Sequence, residues 1–247
     1  TAAILWIAEN APWIAGRVYV DRFMVLFVRH FLDRYPHWKV IEAGEISVDP
    51  TVCIIGADLT VDGGKQFQQL LNATGASIMH LAFAYYAAMT PPPEGVTYPQ
   101  LTQDKAKLPK ALRGKEGQYV VFTPGATTTS RRLTGRHLNP VIAHVRSLGL
   151  LPVFLGKSQM TAEHGATFAD DILYEEGLDL RNQTTMLEAA CVMEHSLVTT
   201  GLDNGLLHLA GCTPGNLIFG YNIASPEHRR PWRGQYDSRT VDIVLSP

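Results

Sequence analysis

Asp203, Asn204, Gly205 and His208 fall in one short stretch, Gly201-Leu202-Asp203-Asn204-Gly205-Leu206-Leu207-His208-Leu209-Ala210. An apolar, β-rich run, Ser196 to Thr200, stops at this Asp-Asn-Gly turn, and an apolar segment of helical character follows at once. A strand that ends in such a turn and opens a helix aims several backbone N–H groups at one spot, where the helix dipole favours an anion. Asp203 and His208 are the polar side chains there, so the stretch reads as a ligand site for a molecule carrying phosphate.

A second loop has related chemistry. After the apolar run Tyr119 to Thr123 comes Pro124-Gly125-Ala126-Thr127-Thr128-Thr129-Ser130-Arg131-Arg132. Hydroxyls and main-chain N–H groups suit diphosphate oxygens, and a guanidinium adds charge-assisted bonds to them. The competing reading is a Thr-rich surface turn. Asp21 heads a helical pattern, so it is either a cap or a general base, with Glu9 as the rival base. Glu188 follows Thr184 and Thr185, a pattern that serves a helix cap as well as a ligand contact. His195 suits a helix end; His80, His137 and His144 have no partner pattern and read as structural. With no HExxH, no DxD and no His/Cys cluster, neither a bound metal nor another cofactor is implied. The Asp62-Gly63-Gly64 run is too weak to be a nucleotide fingerprint. The basic, aromatic run His228-Arg229-Arg230-Pro231-Trp232-Arg233 is either a solvated loop or a phosphate- or acceptor-facing surface.

The elements that must position these residues alternate. In the first half, a strand is expected at Ile4 to Ile7, an irregular stretch from Ala8 to Val20, and a helix from Asp21 to Tyr35 ended by Pro36. Strands follow at Lys39 to Ile41 and Val52 to Ile55, then a helix at Gln66 to Asn72 and an apolar segment, Leu81 to Met89. Thr90-Pro91-Pro92-Pro93 opens a Pro- and Lys-rich exposed linker that runs to Gly117. The second half reads as strands at Tyr119 to Thr123, Leu151 to Leu155, Ser196 to Thr200 and Asn216 to Phe219. Helices at Gly135 to Leu148 and Thr184 to Glu194 lie between them. Such alternation implies parallel sheets, whose ligands bind beyond the carboxyl ends of the strands. The expected organisation is a domain at 1–90, a linker at 91–117 and a domain at 118–247.

At 247 residues with 46% hydrophobic and 18% charged residues, the composition is that of a soluble globular protein. A net charge of −2 gives no general attraction to nucleic acid or anionic membrane, so nucleic acid is disfavoured as a partner. Cys53, Cys191 and Cys212 stand in apolar surroundings without CxxC spacing, which suits buried thiols in a reducing, cytoplasmic compartment. No run approaches the roughly 18 apolar residues of a membrane span. The chain opens at Thr1, so a few native residues, the initiator Met among them, are expected before it.

From about Tyr119 to Pro231 the chain resembles the donor-binding half of glycosyltransferase family 9, the ADP-heptose:lipopolysaccharide heptosyltransferases of the GT-B fold. The family's hydroxyl loop and basic pair are matched by Thr127 to Leu133, and its Leu-Gly-Gly strand end by Phe154-Leu155-Gly156. Its helix start is matched by Leu180 to Ala189, and its Asp-Ser/Thr-Gly-x-x-His-x-Ala run by Asp203 to Ala210, with Phe219-Gly220 beyond. The resemblance implies an α/β chain with two Rossmann-like domains facing a cleft, the N-terminal one trimmed. It implies inverting, metal-independent transfer of a sugar, heptose by analogy, from a nucleoside diphosphate to a hydroxyl of a glycan or other acceptor. Asp21 would be the base. Thr127, Thr128, Arg131, Arg132, Asn204 and Gly205 would hold the diphosphate, and Asp203, His208 and Glu188 the sugar and nucleotide. Three departures stand out: Asn204 replaces Ser/Thr, Leu133 replaces Trp, and no acidic residue directly follows Leu155-Gly156 to hold a ribose, though Glu163 is near in sequence. The departures at Asn204 and Leu133 motivate one alternative, a non-catalytic nucleotide-sugar binder; the other is a GT-B enzyme acting as an epimerase or on a nucleic-acid base, with Arg229 to Arg233 as backbone contacts.

Overall fold

The structure is a computed structural model that describes residues 16–20, 25–42, 104–125, 133–158, 171–222, 226, 230–231, 233 and 238–245. The chain divides into two compact units, Thr1–Pro99 and Gln100–Pro247.

In the first unit, strand β1 (Gly16–Val20) pairs in parallel with β2 (Trp38–Glu42), with Val18 opposite Val40. Helix α1 (Val25–Leu32) connects them and buries Val28 and Leu32, one helical turn apart on the same face. This corrects the expectation of an irregular stretch up to Val20. Arg17-Val18-Tyr19-Val20 is rich in β-branched and aromatic residues, and Val18 is buried, so the run pairs as a strand despite its short length. Asp21 follows the carboxyl end of β1 in the chain but lies outside the described residues. So do the expected elements at Ile4 to Ile7, Val52 to Ile55, Gln66 to Asn72 and Leu81 to Met89.

The second unit holds a six-stranded, wholly parallel sheet. Its strands are β3 (Tyr119–Thr123), β4 (Leu151–Phe154), β5 (Leu178–Asp179), β6 (Val198–Leu202), β7 (Leu217–Tyr221) and β8 (Thr240–Val244). Their spatial order is β5-β4-β3-β6-β7-β8. Helices α2 (Gly135–Ser147), α3 (Met186–Glu194) and α4 (Gly205–Gly211) fill the connections. The α/β class expected from the alternation therefore holds.

Leu138, Ile142 and Val145 of α2 recur at helical spacing and pack with Val120, Phe122 and Phe154 of the sheet, with the Phe122 and Phe154 rings stacked at 5.7 Å. Gly149, at φ 74°, takes the left-handed turn that stops this helix and lets β4 begin two residues later. Part of the stretch read as an exposed linker is built into this unit. Two 3-10 turns, Lys105–Lys107 and Lys110–Leu112, anchor it through Leu108 and Leu112, both buried. The Gly117 N–H also bonds the His195 carbonyl, so this segment packs where its leucines, not its lysines, decide.

Candidate functional site

The strand order fixes where a ligand fits. From β3 the chain builds outward through β4 to β5, then returns across β3 to lay down β6, β7 and β8 on the other side. The boundary between β3 and β6 is therefore a topological switch point, where open parallel sheets place a crevice for ligands. All six strands run parallel, so all their carboxyl ends share one edge of the sheet. Thr123 to Gly125 leave β3 at that crevice and Asp203 to Gly205 leave β6 there, with Thr123 paired to Gly201.

Gly201 sits inside β6, where the sequence expected the strand to have stopped. A Cβ there would fall on Thr123 Oγ1 and lie 2.8 Å from the Thr123 carbonyl oxygen, so the absent side chain is what allows β3 and β6 to meet. Asn204 is the N-cap of α4: its Oδ1 accepts from Leu207 N at 2.9 Å. Its Nδ2 donates to the carbonyl oxygens of Thr123 (2.9 Å) and Gly125 (3.1 Å) and to Thr123 Oγ1 (3.2 Å). Gly205 is exposed, and a Cβ on it would meet no described atom within 4 Å, so the outer side of this turn is open.

Asp203 is buried at 3% exposure, its N–H bonded to the Gly220 carbonyl. His208 donates from Nε2 to Asp203 Oδ1 at 2.9 Å, and its ring meets the edge of Phe219 at 5.3 Å. His208 Nδ1 is buried without a hydrogen-bond partner among the described residues. The pair thus leaves the imidazole, which is 19% exposed, as the more accessible member.

The remaining sequence candidates divide. Glu188 forms a capping box, its Oε2 accepting from Thr185 N and Thr185 Oγ1, both at 2.8 Å, so of its two readings the cap is the one the geometry displays. His195 caps α3, with Nδ1 at 3.0 Å from the Cys191 carbonyl. Glu9, Asp21, Thr127, Thr128, Arg131, Arg132 and Glu163 lie outside the described residues, as do Cys53 and His80. The basic tail is not an open cationic surface at its described positions. Arg230 pairs with Asp242 at 3.1 Å, and Arg233 is buried, donating to the carbonyls of Gly211, Thr213 and Gly215 and to Thr240 Oγ1. Burial takes Arg233 out of any acceptor-facing surface, while Arg230 is already paired.

Burial pushes the Cys191 thiol up to about 11, with Glu194 adding to it, and the Cys212 thiol up to about 12. Asp179 and Arg181, at the exit of β5, were not singled out from sequence. Arg181 donates to both carboxylate oxygens of Asp179 (2.8 and 2.6 Å) and lies 3.3 Å over the Tyr174 ring. Burial opposes ionisation of Asp179, but the Arg181 hydrogen bonds outweigh it and hold the carboxyl below its ordinary value. A two-residue strand leaves almost no periodic signal, and the pair meets because the chain turns after β5, where the Arg181 N–H also bonds Asp179 Oδ1 at 3.0 Å.

The model of glycosyltransferase family 9 (heptosyltransferase) matches residues 74–242. The chain belongs to glycosyltransferase family 9. Among solved structures similar to this family member is the Escherichia coli ADP-heptose lps heptosyltransferase II, at 13% identity and a TM-score of 0.61 over 99% of this chain and 84% of that one. Another is TibC of enterotoxigenic E. coli H10407, described as an iron-containing dodecameric glycosyltransferase, at 15% identity and a TM-score of 0.57 over 88% and 60%. These likenesses carry the fold. A curated relative from Novosphingobium aromaticivorans, named tryptophan synthase alpha chain, is 23% identical over 169 residues, 68% of this chain and 55% of that one. The chain thus spans about half the length of that relative, and the identity is too low for its name to carry over. Among the described residues of this family 9 chain, no three His, Cys, Asp or Glu side chains gather to hold a metal, and no helix is long and apolar enough to cross a membrane.

Proposed function

We propose that this chain is an inverting, metal-independent glycosyltransferase that binds a nucleoside diphosphate sugar at the β3–β6 switch point. The observation that carries the reading is the seating of the family-like run Asp203-Asn204-Gly205-x-x-His208 at that crevice, opposite the exit of β3. The ADP-heptose named for the E. coli neighbour supports an ADP-sugar, with heptose as the sugar and a glycan hydroxyl as the acceptor.

In this scheme the acceptor oxygen attacks the anomeric carbon from the side opposite the diphosphate. The new C–O bond forms as the bond to the phosphate oxygen breaks, so the configuration inverts. Asp21 takes the proton of the hydroxyl, a role that needs direct reach to that oxygen. The departing nucleoside diphosphate gains negative charge. Arg131, Arg132, Thr127, Thr128 and the backbone of the Asn204–Gly205 turn stabilise it as fixed donors, in place of a metal. Asp203 orients the imidazole of His208, which meets the donor. The buried thiols and modest net charge fit a cytoplasmic enzyme.

The test is a thermal-shift screen against ADP-, UDP-, GDP- and CDP-sugars in EDTA, repeated with Arg131→Ala. One donor, an ADP-sugar, raises the melting temperature of the unaltered protein and loses the effect in the variant. With that donor, Asp21→Ala abolishes transfer and retains donor affinity. No shift with any donor overturns the donor reading, and unaltered transfer rates in Asp21→Ala remove Asp21 from the mechanism.

A further inference from the structure

Asn204 stands where the family pattern has Ser or Thr, and the structure shows what the longer side chain adds. A Ser or Thr hydroxyl at an N-cap can accept from the helix N–H, as Asn204 Oδ1 does from Leu207 N. It has a single proton and a shorter reach. The carboxamide carries two N–H groups on a separate atom, and here they span three acceptors on another strand exit: the carbonyls of Thr123 and Gly125, and Thr123 Oγ1. Thr123 Oγ1 has its own proton directed to the Thr200 carbonyl at 3.4 Å, which leaves its lone pairs to accept from Asn204. Both ends of the side chain are therefore committed to the fold.

The acceptors matter because of where they lie. Thr123 is the last residue of β3, and Gly125 opens the stretch that carries Thr127, Thr128, Arg131 and Arg132. That stretch closes where Leu133 N–H bonds the Pro124 carbonyl at 3.3 Å, one residue from the carbonyl that Asn204 holds. The β6 exit thus grips the root of the β3 exit loop.

We infer that Asn204 is a positioning residue: its carboxamide locks the exits of β3 and β6 into one unit and so sets the affinity for the donor diphosphate without its side chain touching the donor. This rests on the donor site proposed above. It also predicts an order among substitutions that plain capping does not. Asn204→Ser keeps the cap and loses the lock. Asn204→Asp keeps the shape and the cap but turns a carboxylate toward two carbonyl oxygens.

The experiment is a double-mutant cycle of Asn204→Ser and Arg131→Ala read by ADP binding calorimetry, with hydrogen exchange on the same proteins. In Asn204→Ser the ADP dissociation constant rises about tenfold, and much of that increment disappears in the Arg131→Ala background, because the two act through one loop. Asn204→Asp weakens binding further. Exchange at the Leu133 amide accelerates, while amides of residues 207–211, still capped, keep their protection. Additive effects of the two substitutions, or unchanged exchange at Leu133, overturn the positioning role and leave the donor site standing. If the unaltered protein does not bind ADP or any other nucleoside diphosphate, the donor reading falls instead, and the exchange at Leu133 still reports whether the lock exists.

Discussion

Gly201→Ala probes the close approach of β3 and β6. The new Cβ falls on Thr123 Oγ1 and within 2.8 Å of the Thr123 carbonyl oxygen, both on the neighbouring strand. Overpacking of this kind costs about 1–3 kcal/mol. The strained bonds from Asn204 to Thr123 add about 1 kcal/mol, and the stiffer unfolded chain of alanine offsets about 0.5–1 kcal/mol. The net is a destabilisation of about 2 kcal/mol, read as a lower urea midpoint at constant m and a melting temperature down by about 4–8 °C. Thr123→Ala removes the hydroxyl that clashes but not the carbonyl oxygen. The double variant therefore recovers part of the loss, giving a non-additive cycle. A Gly201→Ala protein within about 0.5 kcal/mol of the unaltered one, or strictly additive substitutions, would refute the claim that this glycine sets the β3–β6 spacing.

Arg233→Met leaves the carbonyls of Gly211, Thr213 and Gly215 without their buried donor, and chemical denaturation should show a loss of about 3 kcal/mol or more. The carboxyl of Asp179 is held below its ordinary value in the folded state, so its contribution is present above the unfolded pKa and is lost as pH falls through the folded one. Asp179→Asn should therefore flatten the acid limb of the stability curve, by less than about 1 kcal/mol because the carboxylate is partly exposed. With their thiols raised to about 11 and about 12, Cys191 and Cys212 stay protonated at pH 8; iodoacetamide should leave both unmodified in the native protein and label both after denaturation, as mass spectrometry reports.

The second unit was largely legible from residue pattern. Tyr119 to Thr123 is a strand at the expected residues, and the helices and strands through Tyr221 fall within a few positions of expectation. Long apolar periodicity made them visible. What escaped was short or held by tertiary contact. β5 has two residues, β8 is a half-exposed edge, and β1 was hidden by Gly16 at its head. The Lys-rich segment before β3 read as linker because its charges outnumber the two leucines that anchor it. At the site, Asp203 and His208 were found as polar residues near a strand end. Their pairing, the Glu188 cap and the reach of Asn204 across to Gly125 depend on side-chain geometry that spacing does not encode.

Three departures from ordinary strand and cap rules gather where β3 and β6 end. A glycine lies inside a buried central strand, a buried carboxylate pairs with an imidazole, and an asparagine replaces the short hydroxyl cap of the family pattern. Each weakens or complicates folding when considered alone: glycine costs strand entropy, and Asp203 is desolvated by burial. Elsewhere in the sheet, β3, β4 and β7 are mostly apolar, although β4 carries Pro152 and β7 carries Gly220. Three departures that share a topological switch point stand where a ligand would require them. The three are also mechanically linked. Gly201 lets Thr123 approach, Thr123 supplies acceptors to Asn204, and Asn204 caps the helix that carries His208 back to Asp203. Disturbing any one of them should therefore shift the others, which is why the crevice, more than any single residue in it, is the unit on which selection for donor binding would act.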